Sequence, residues 1–519
     1  VTTPPSPSTP PSARLDLPEL ISQTLWLVVH GPDPDRPDAR NEQELGVGTP
    51  RQAIRALRPG GIVAFAWSGN CAHPQQLAHL VAALQDTAGE EAGMPLAVAI
   101  DEEGGRVRRL PPPATQWPSA RALARAAGPE EAQARWAAAG TELLACGITT
   151  NLAPVVDVDA VNNPVVGDRA FGTDATTVSA HATAAVEGLQ QAGVAAVAKH
   201  FPGHGAVAGD SHEALPHSAA GRASVEDRHL AAFRQLFADA RPAGVMTGHL
   251  RIAALDGAEP ATTSPAITRD LLRRELGYDG LVLTDSLAMG ALADREPGAV
   301  AVEALAAGAD VLLTPPDPGT AHAAVLEAVE QQRLSADRVA EAADRVAAHR
   351  TRWRAEGDGR AADDPSHRSL ALDLAHRAVV VNDPVGLLPI DRALVVGATV
   401  AGPARGLADA LAARGVAARL CELGGREGIG DGPLPSGDTM NAMAGDDPLV
   451  VVSEPGHDLT ALLAATGRDS SVHVRTAVGE PALPRPAEPA TTVDVSLPGG
   501  DHALVAATAQ RLARTRERY

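Results

Sequence analysis

Short apolar runs alternate with longer stretches of helical periodicity over most of the chain. The runs are Thr24–His30, Gly61–Trp67, Leu96–Ile100, Ile148–Val156, Val194–Ala198, Gly244–Thr247, Leu281–Thr284 and Val311–Thr314. Most are apolar on consecutive positions, as strands buried on both faces require. Between several of them lie Pro129–Cys146, Ala175–Ala192 and Ala299–Ala307, rich in Ala, Glu, Gln and Leu, which predict helices. Eight strands interleaved with helices predict an α/β fold, a (β/α)8 TIM-type barrel occupying residues 19–356. An open doubly wound sheet gives the same alternation, and pattern alone does not separate the two.

The flanks read differently. Residues 1–18, beginning VTTPPSPSTPPS, are rich in Pro, Ser and Thr and predict a disordered or extended tail. Residues 357–366, GDGRAADDPS, have a linker composition, and 367–519 form a second, smaller domain. There, the runs Leu394–Val396 and Leu449–Val452 predict a small parallel sheet, Gly424–Gly437 an irregular loop, and Ala503–Arg518 a surface helix. No Gly-x-Gly-x-x-Gly follows a predicted strand, so no dinucleotide site is expected.

A chain of 519 residues suits two domains. Its net charge of −20 argues against nucleic acid and anionic membrane as partners. No apolar run approaches the length of a membrane span. The first residues lack the apolar core of a signal peptide, so a cytoplasmic location is expected, although a chain starting at Val1 is compatible with processing. Cys71, Cys146 and Cys421 lie far apart, which fits reduced thiols.

The candidate chemistry gathers at the strand ends, where a barrel carries its active site. Asp101, Asp157, Lys199-His200, His249 and Asp285 each follow or end a predicted strand. The densest stretch is Lys199-His200-Phe201-Pro202-Gly203-His204-Gly205, followed by Asp210-Ser211-His212. Lys199 and His200 are expected where strand gives way to loop, and the loop's glycines and proline predict that it moves. Asp210 and His212, two apart, would share a face in an extended segment, where a carboxylate orients an imidazole. His200 and His204 have the spacing of a helical zinc pair, but Pro202-Gly203 breaks the helix such a pair needs; no metal or other cofactor is expected.

The run KHFPGHG-x4-DSH resembles the signature of glycoside hydrolase family 3, in its β-N-acetylglucosaminidase branch. The resemblance implies a barrel first domain and an α/β sandwich for the second. It makes Asp285, in Leu281-Val-Leu-Thr-Asp-Ser, the catalytic nucleophile; the bland reading of that Asp is a cap on the next helix. His212 becomes the acid/base, with Asp210 as its partner. Asp101, Arg109, Arg169, Lys199 and His200 become sugar-binding residues. Asp157 is expected to order the rim, and a salt-bridged surface arginine is the plainer reading of Arg169.

The β-glucosidase branch typically has Ser-Asp-Trp at the nucleophile and draws its acid/base from the second domain. This chain has Thr-Asp-Ser and a His on its barrel, so residues 367–519 are read as structural. Aromatic content of 2% suits a short pocket for one terminal sugar better than a long cleft. The function implied is a retaining exo-β-N-acetylglucosaminidase acting on small glycans, either muropeptides or chitin oligosaccharides. A phosphorylase using the same residues, a β-glucosidase, and a non-catalytic sugar-binding barrel are the alternatives.

Overall fold

The computed structural model describes residues 10–378, except 161, 162, 164, 208, 356 and 358, and six strands between 380 and 498. Eight short parallel strands form the first domain: β1 (Leu25–Leu27), β2 (Gly61–Ala64), β3 (Ala97–Ile100), β4 (Thr150–Asn151), β5 (Ala195–Phe201), β6 (Gly244–Thr247), β7 (Leu281–Thr284) and β8 (Leu312–Leu313). They pair in the order β8-β1-β2-β3-β4-β5-β6-β7, and a parallel bridge from Leu283 to Val311 joins the two ends. The Thr284 N–H donates to Val311 O at 3.0 Å and the Val311 N–H to Val282 O at 3.1 Å. The sheet is therefore the predicted barrel and not the open doubly wound alternative.

Strand alternation divides the core. Trp26, Val63, Ala97, Ala99, Val197, Leu281 and Leu283 pack together as one cluster drawn from strands around the ring. Ile62, Ala64, Val98, Ile100, Ala196, Ala198 and Val282 point the other way and join the larger cluster made with the helices. The surrounding helices are locally specified. Ala175–Ala192 starts at Asp174, whose carboxylate accepts the Thr177 N–H at 2.9 Å, and stops at Gly193 with φ at 98°.

The second sheet contains β9 (Val380–Asn382), β10 (Arg392–Gly397), β11 (Ala417–Glu422), β12 (Leu449–Ser453), β13 (Ser471–Ala477) and β14 (Thr492–Pro498). Its order is β9-β14-β13-β12-β10-β11, parallel except where β9 runs antiparallel to β14. The loop expected at Gly424–Gly437 and the helix expected at Ala503–Arg518 lie outside the described residues.

Four expectations change. Strand β5 continues through Lys199, His200 and Phe201, with a register shift against β6 between Lys199 and Phe201; the apolar run ends before the hydrogen-bonded strand does. In the expected tail, residues 11–13 form a 3-10 turn and a helix already starts at Leu17, capped by Asp16. In the expected linker, Ala362 is fully buried and the Gly359 N–H donates to Ala145 O at 2.7 Å. Finally, the helix Pro365–Ala378, most of which the expected boundary at 367 assigns to the second domain, packs Ala371 against Trp117 and Ala139 of the first. Arg377 also pairs with Glu131. Its small apolar residues face helices of the barrel, which polar composition upstream did not reveal.

Candidate active site

The C-terminal ends of the strands surround a cavity of about 560 Å³ whose lining includes Asp101, Arg109, Arg169, Lys199, His200, His212 and Asp285. These residues come from loops and strand ends scattered over 185 positions of sequence, and the barrel brings them together.

The β3 loop carries the first group. Gly104 and Gly105 have φ of 96° and 60°, and a Cβ on Gly104 would lie 2.5 Å from Pro118 O. Only glycine fits a turn that tight. It returns the chain so that the Glu102 carboxylate accepts the N–H groups of Arg109 at 2.7 Å and Leu110 at 3.0 Å. Burial pushes the Glu102 carboxyl up to about 7. Arg109 thereby enters the cavity, its Nε without a partner among the described residues.

Lys199 links this loop to β5. Its Nζ lies 2.6 Å from Asp101 Oδ1 and 2.6 Å from Glu103 Oε1. Glu103 also accepts from Arg169, Nε to Oε2 and Nη2 to Oε1, both at 2.8 Å. Two carboxylates and two cations thus alternate in a nearly dry network. Burial alone would raise the Glu103 carboxyl, but Arg169 and Lys199 outweigh it and hold the group well below the usual range. Arg169 and Lys199 are raised in turn, because the carboxylates overcome the burial that would lower them. Arg169 is therefore salt-bridged, as its plainer reading had it, yet inside the cavity wall. Glu103 is the member that sequence reasoning missed. The signal was present as a second Glu before Gly104-Gly105, but nothing in the sequence shows which cations it meets.

His200 and Asp157 form a second unit. The His200 Nδ1–H donates to Asp157 Oδ2 at 2.7 Å, and the other Asp157 oxygen accepts the His204 N–H at 2.6 Å. Asp157 is fully buried and orders the loop; among the described residues it is not part of the cavity lining. Burial would raise its carboxyl, but the histidines and the His204 amide hold it below its ordinary value.

The nucleophile candidate follows β7. Asp285 hangs from an N–H bond to Thr247 O at 3.0 Å, and its Oδ1 accepts the Ser286 N–H at 2.8 Å. No helix starts there: a 3-10 turn follows only at Gly290–Leu292 and the next α-helix is Pro297–Ala307, so the cap reading of Asp285 fails. Burial acts to raise its carboxyl, while His200, His249, the Ser286 amide and Lys199 together bring it below the ordinary value. It is therefore an anion at neutral pH. His249, expected at a strand end, sits behind this point and not in the cavity lining, donating Nε2–H to Ser286 O at 2.8 Å.

The acid/base candidate is on the rim. The Nδ1–H of His212 donates to Asp210 Oδ1 at 2.8 Å, and the His212 backbone N–H donates to the same oxygen at 2.8 Å. The imidazole is 63% exposed, so its Nε2 is open to a substrate in the cavity. The Asp210 carboxyl, which partial burial would raise, is brought below its ordinary value by these bonds to His212. The loop expected to move is tied down in several places. His204 donates Nε2–H to Ser211 Oγ at 2.9 Å, while Gly290 N–H and Ala291 N–H reach His212 O and Ser211 O, both at 3.1 Å. A Cβ on Gly290 would meet His212 O at 2.4 Å, so glycine permits this approach of the β7 loop to the acid/base loop. Burial lowers the His204 imidazole to about 4, which keeps it a neutral latch. Two rim features were not foreseen. Glu44 lines the cavity while accepting from His30 Nε2 at 2.8 Å, and Trp67 stands exposed at its mouth.

A carboxylate at a barrel-strand end, an oriented imidazole and a wall of paired charges share one cavity. Residues 47–349 match the glycosyl hydrolase family 3 N terminal domain. The chain belongs to that family. It is a glycoside hydrolase, with the barrel that the family's first domain has. A β-hexosaminidase of Alkalilimnicola ehrlichii is 41% identical over 264 residues, covering 49% of this chain and 73% of that protein. Another β-hexosaminidase, from Methylococcus capsulatus, is 38% identical over 284 residues, covering 53% of this chain and 81% of its own. The solved glycoside hydrolase family 3 β-N-acetylglucosaminidase from Paenibacillus sp. str. FPU-7 superposes with a TM-score of 0.80 at 29% identity, over 96% of this chain and 97% of that one. No helix among the described residues is long and apolar enough to cross a membrane.

Proposed function

We propose that this enzyme is a retaining, exo-acting β-N-acetylglucosaminidase that removes terminal N-acetylglucosamine from small glycans, either muropeptides or chitin oligosaccharides. The observation that carries the reading is the pairing, in one cavity, of an ionised Asp285 with an imidazole whose Nε2 is free and whose Nδ1–H is held by Asp210. Relatives named β-hexosaminidase supply the choice of sugar.

In the first step an oxygen of Asp285 bonds to the anomeric carbon. The bond to the leaving oxygen breaks, and that oxygen takes the proton from Nε2 of a protonated His212. The imidazole is then neutral. In the second step it accepts a proton from water, whose oxygen attacks the anomeric carbon and expels the Asp285 carboxylate. Two displacements restore the β configuration. Asp101, Lys199, Arg169 and Arg109 supply acceptors and donors for the ring hydroxyls, and His200 offers its Nε2.

The same chemistry with phosphate in place of water is a second reading. It is favoured by an acid/base that carries no negative charge once deprotonated, so an anion approaches unopposed. A panel of β-N-acetylglucosaminides and β-glucosides, assayed with and without phosphate and followed by NMR, tests both. The expected product is β-configured free N-acetylglucosamine whose rate of formation is indifferent to phosphate. Formation of a sugar 1-phosphate would favour phosphorolysis, and first-formed α product would contradict retention.

A further inference from the structure

Trp67 is 60% exposed, and no other large apolar side chain among the described residues is so open. What sets this ring apart from an ordinary exposed apolar side chain is that it lines the catalytic cavity, where an indole offers a flat stacking face. The ring is also fixed in place. It stacks on Phe65 with centroids 5.2 Å apart and planes at 28°, and leans on His30 at 5.6 Å. Its backbone carbonyl accepts Arg40 Nη1–H at 2.9 Å, and Arg40 is held in turn by Asp38 Oδ2 at 2.7 Å. A ligand landing there therefore meets a surface that has already lost its freedom.

The ring belongs to the catalytic cavity. Trp67 and Phe65 both line it, and the Arg109 guanidinium lies over the Phe65 ring, 5.8 Å from its centroid. The cavity has two characters. The ends of β3, β5 and β7 and the loop after β4 bring Asp101, Lys199, Asp285 and Arg169, whereas the loops after β2 and β8 bring Phe65, Trp67, Pro315 and Pro316. The charged part, with its directional donors and acceptors, suits the sugar that reacts. The apolar, solvent-open part suits what leaves.

We propose that Trp67, backed by Phe65, is a leaving-group subsite that takes a second pyranose by stacking against the C–H face of its ring. Glu44, on the same wall and 45% exposed, accepts a hydroxyl of that sugar. The subsite rests on the proposed glycosidase reading and adds a preference for glycans of at least two rings. It also places two of the chain's few aromatic residues where a one-sugar pocket would have no use for them.

The test compares two substrates in the full-length enzyme: methyl β-N-acetylglucosaminide, whose aglycone is too small to reach the indole, and the β-1,4-linked N-acetylglucosamine disaccharide. Trp67→Ala is expected to lower kcat/KM for the disaccharide about tenfold, mainly through KM, and to leave the methyl glycoside within about twofold. Trp67→Phe should recover most of the loss. An equal loss on both substrates, or no loss on the disaccharide, overturns the subsite. A wild-type enzyme that cleaves β-glucosides but not N-acetylglucosaminides would overturn the proposed sugar alone, and the corresponding glucoside pair then decides the subsite. If it cleaves neither, both readings fall.

Discussion

Glu103→Gln is the sharpest perturbation of the buried charge network, because it keeps the shape and removes one charge. Glu103 is 4% exposed and meets Lys199 Nζ at 2.6 Å and the Arg169 guanidinium at 2.8 Å. At an effective dielectric of about 20, each contact contributes roughly 6 kcal/mol of attraction before the cost of desolvating the partners is subtracted. That cost removes most of the sum, and losing one member of such a network typically destabilises by about 3–5 kcal/mol, because the remaining charges stay buried and unpaired. In the variant, Lys199 keeps its pair with Asp101 but Arg169 loses its carboxylate partner, and both should relax away from the positions they hold in the cavity wall. Urea unfolding at pH 7 should show the loss, and kcat/KM should fall by at least about tenfold with most of it in KM. The effect has a pH signature. The folded-state carboxyl is depressed from its ordinary 4.5, so the stability it contributes is present above that value and is lost as pH falls toward the folded-state value. Wild type and variant should therefore converge in stability on acidification. Unchanged urea midpoints at pH 7, together with a kcat/KM within about twofold of wild type, would refute the claim that this network positions the sugar-binding cations.

Three further outcomes are expected. His212→Ala should release an acidic phenol from an aryl glycoside in a burst, then turn over slower by about 10²–10⁴, with azide restoring turnover as a β-glycosyl azide. Equal slowing of good and poor leaving groups, without an azide product, would move the acid/base elsewhere, with Glu44 the first rim carboxylate to examine. Asp210→Asn should give a milder form of the same defect. Separately, Glu102 is raised to about 7 from 4.5, so its burial penalty disappears as pH falls through that window. Wild type should gain up to about 3 kcal/mol relative to Glu102→Gln between pH 7.5 and 4.5, measured by urea unfolding; a constant difference would contradict the raised carboxyl.

The barrel was legible because each buried strand wrote a short apolar run, and all eight predicted runs contain or overlap an observed strand. The ends were less so. Lys199 and His200 read as loop because they are polar, yet they extend β5 with their side chains turned toward charged partners from other loops. The same limit hid Glu103, whose neighbours Lys199 and Arg169 lie 96 and 66 positions away. It hid Trp67 as well, since an exposed indole and a core indole look alike in sequence. The stretch 357–366 misled in the other direction: its polar composition with Gly and Pro suggested a tether, but Gly359, with φ at 75°, lets the chain lie against the Gln75 backbone, where a Cβ would come within 2.5 Å. Composition reports what a segment can do in water, and here packing decided.

The central claim is that Asp285 bonds to the sugar. Incubating the enzyme with a 2-acetamido-2-deoxy-5-fluoro-β-glycosyl fluoride, digesting it and mapping the adduct by mass spectrometry tests this directly. One labelled peptide is expected, with the sugar esterified to Asp285, and no label in Asp285→Asn. A label on any other residue, or an enzyme that turns the reagent over with inversion and never carries it, would remove Asp285 as the nucleophile.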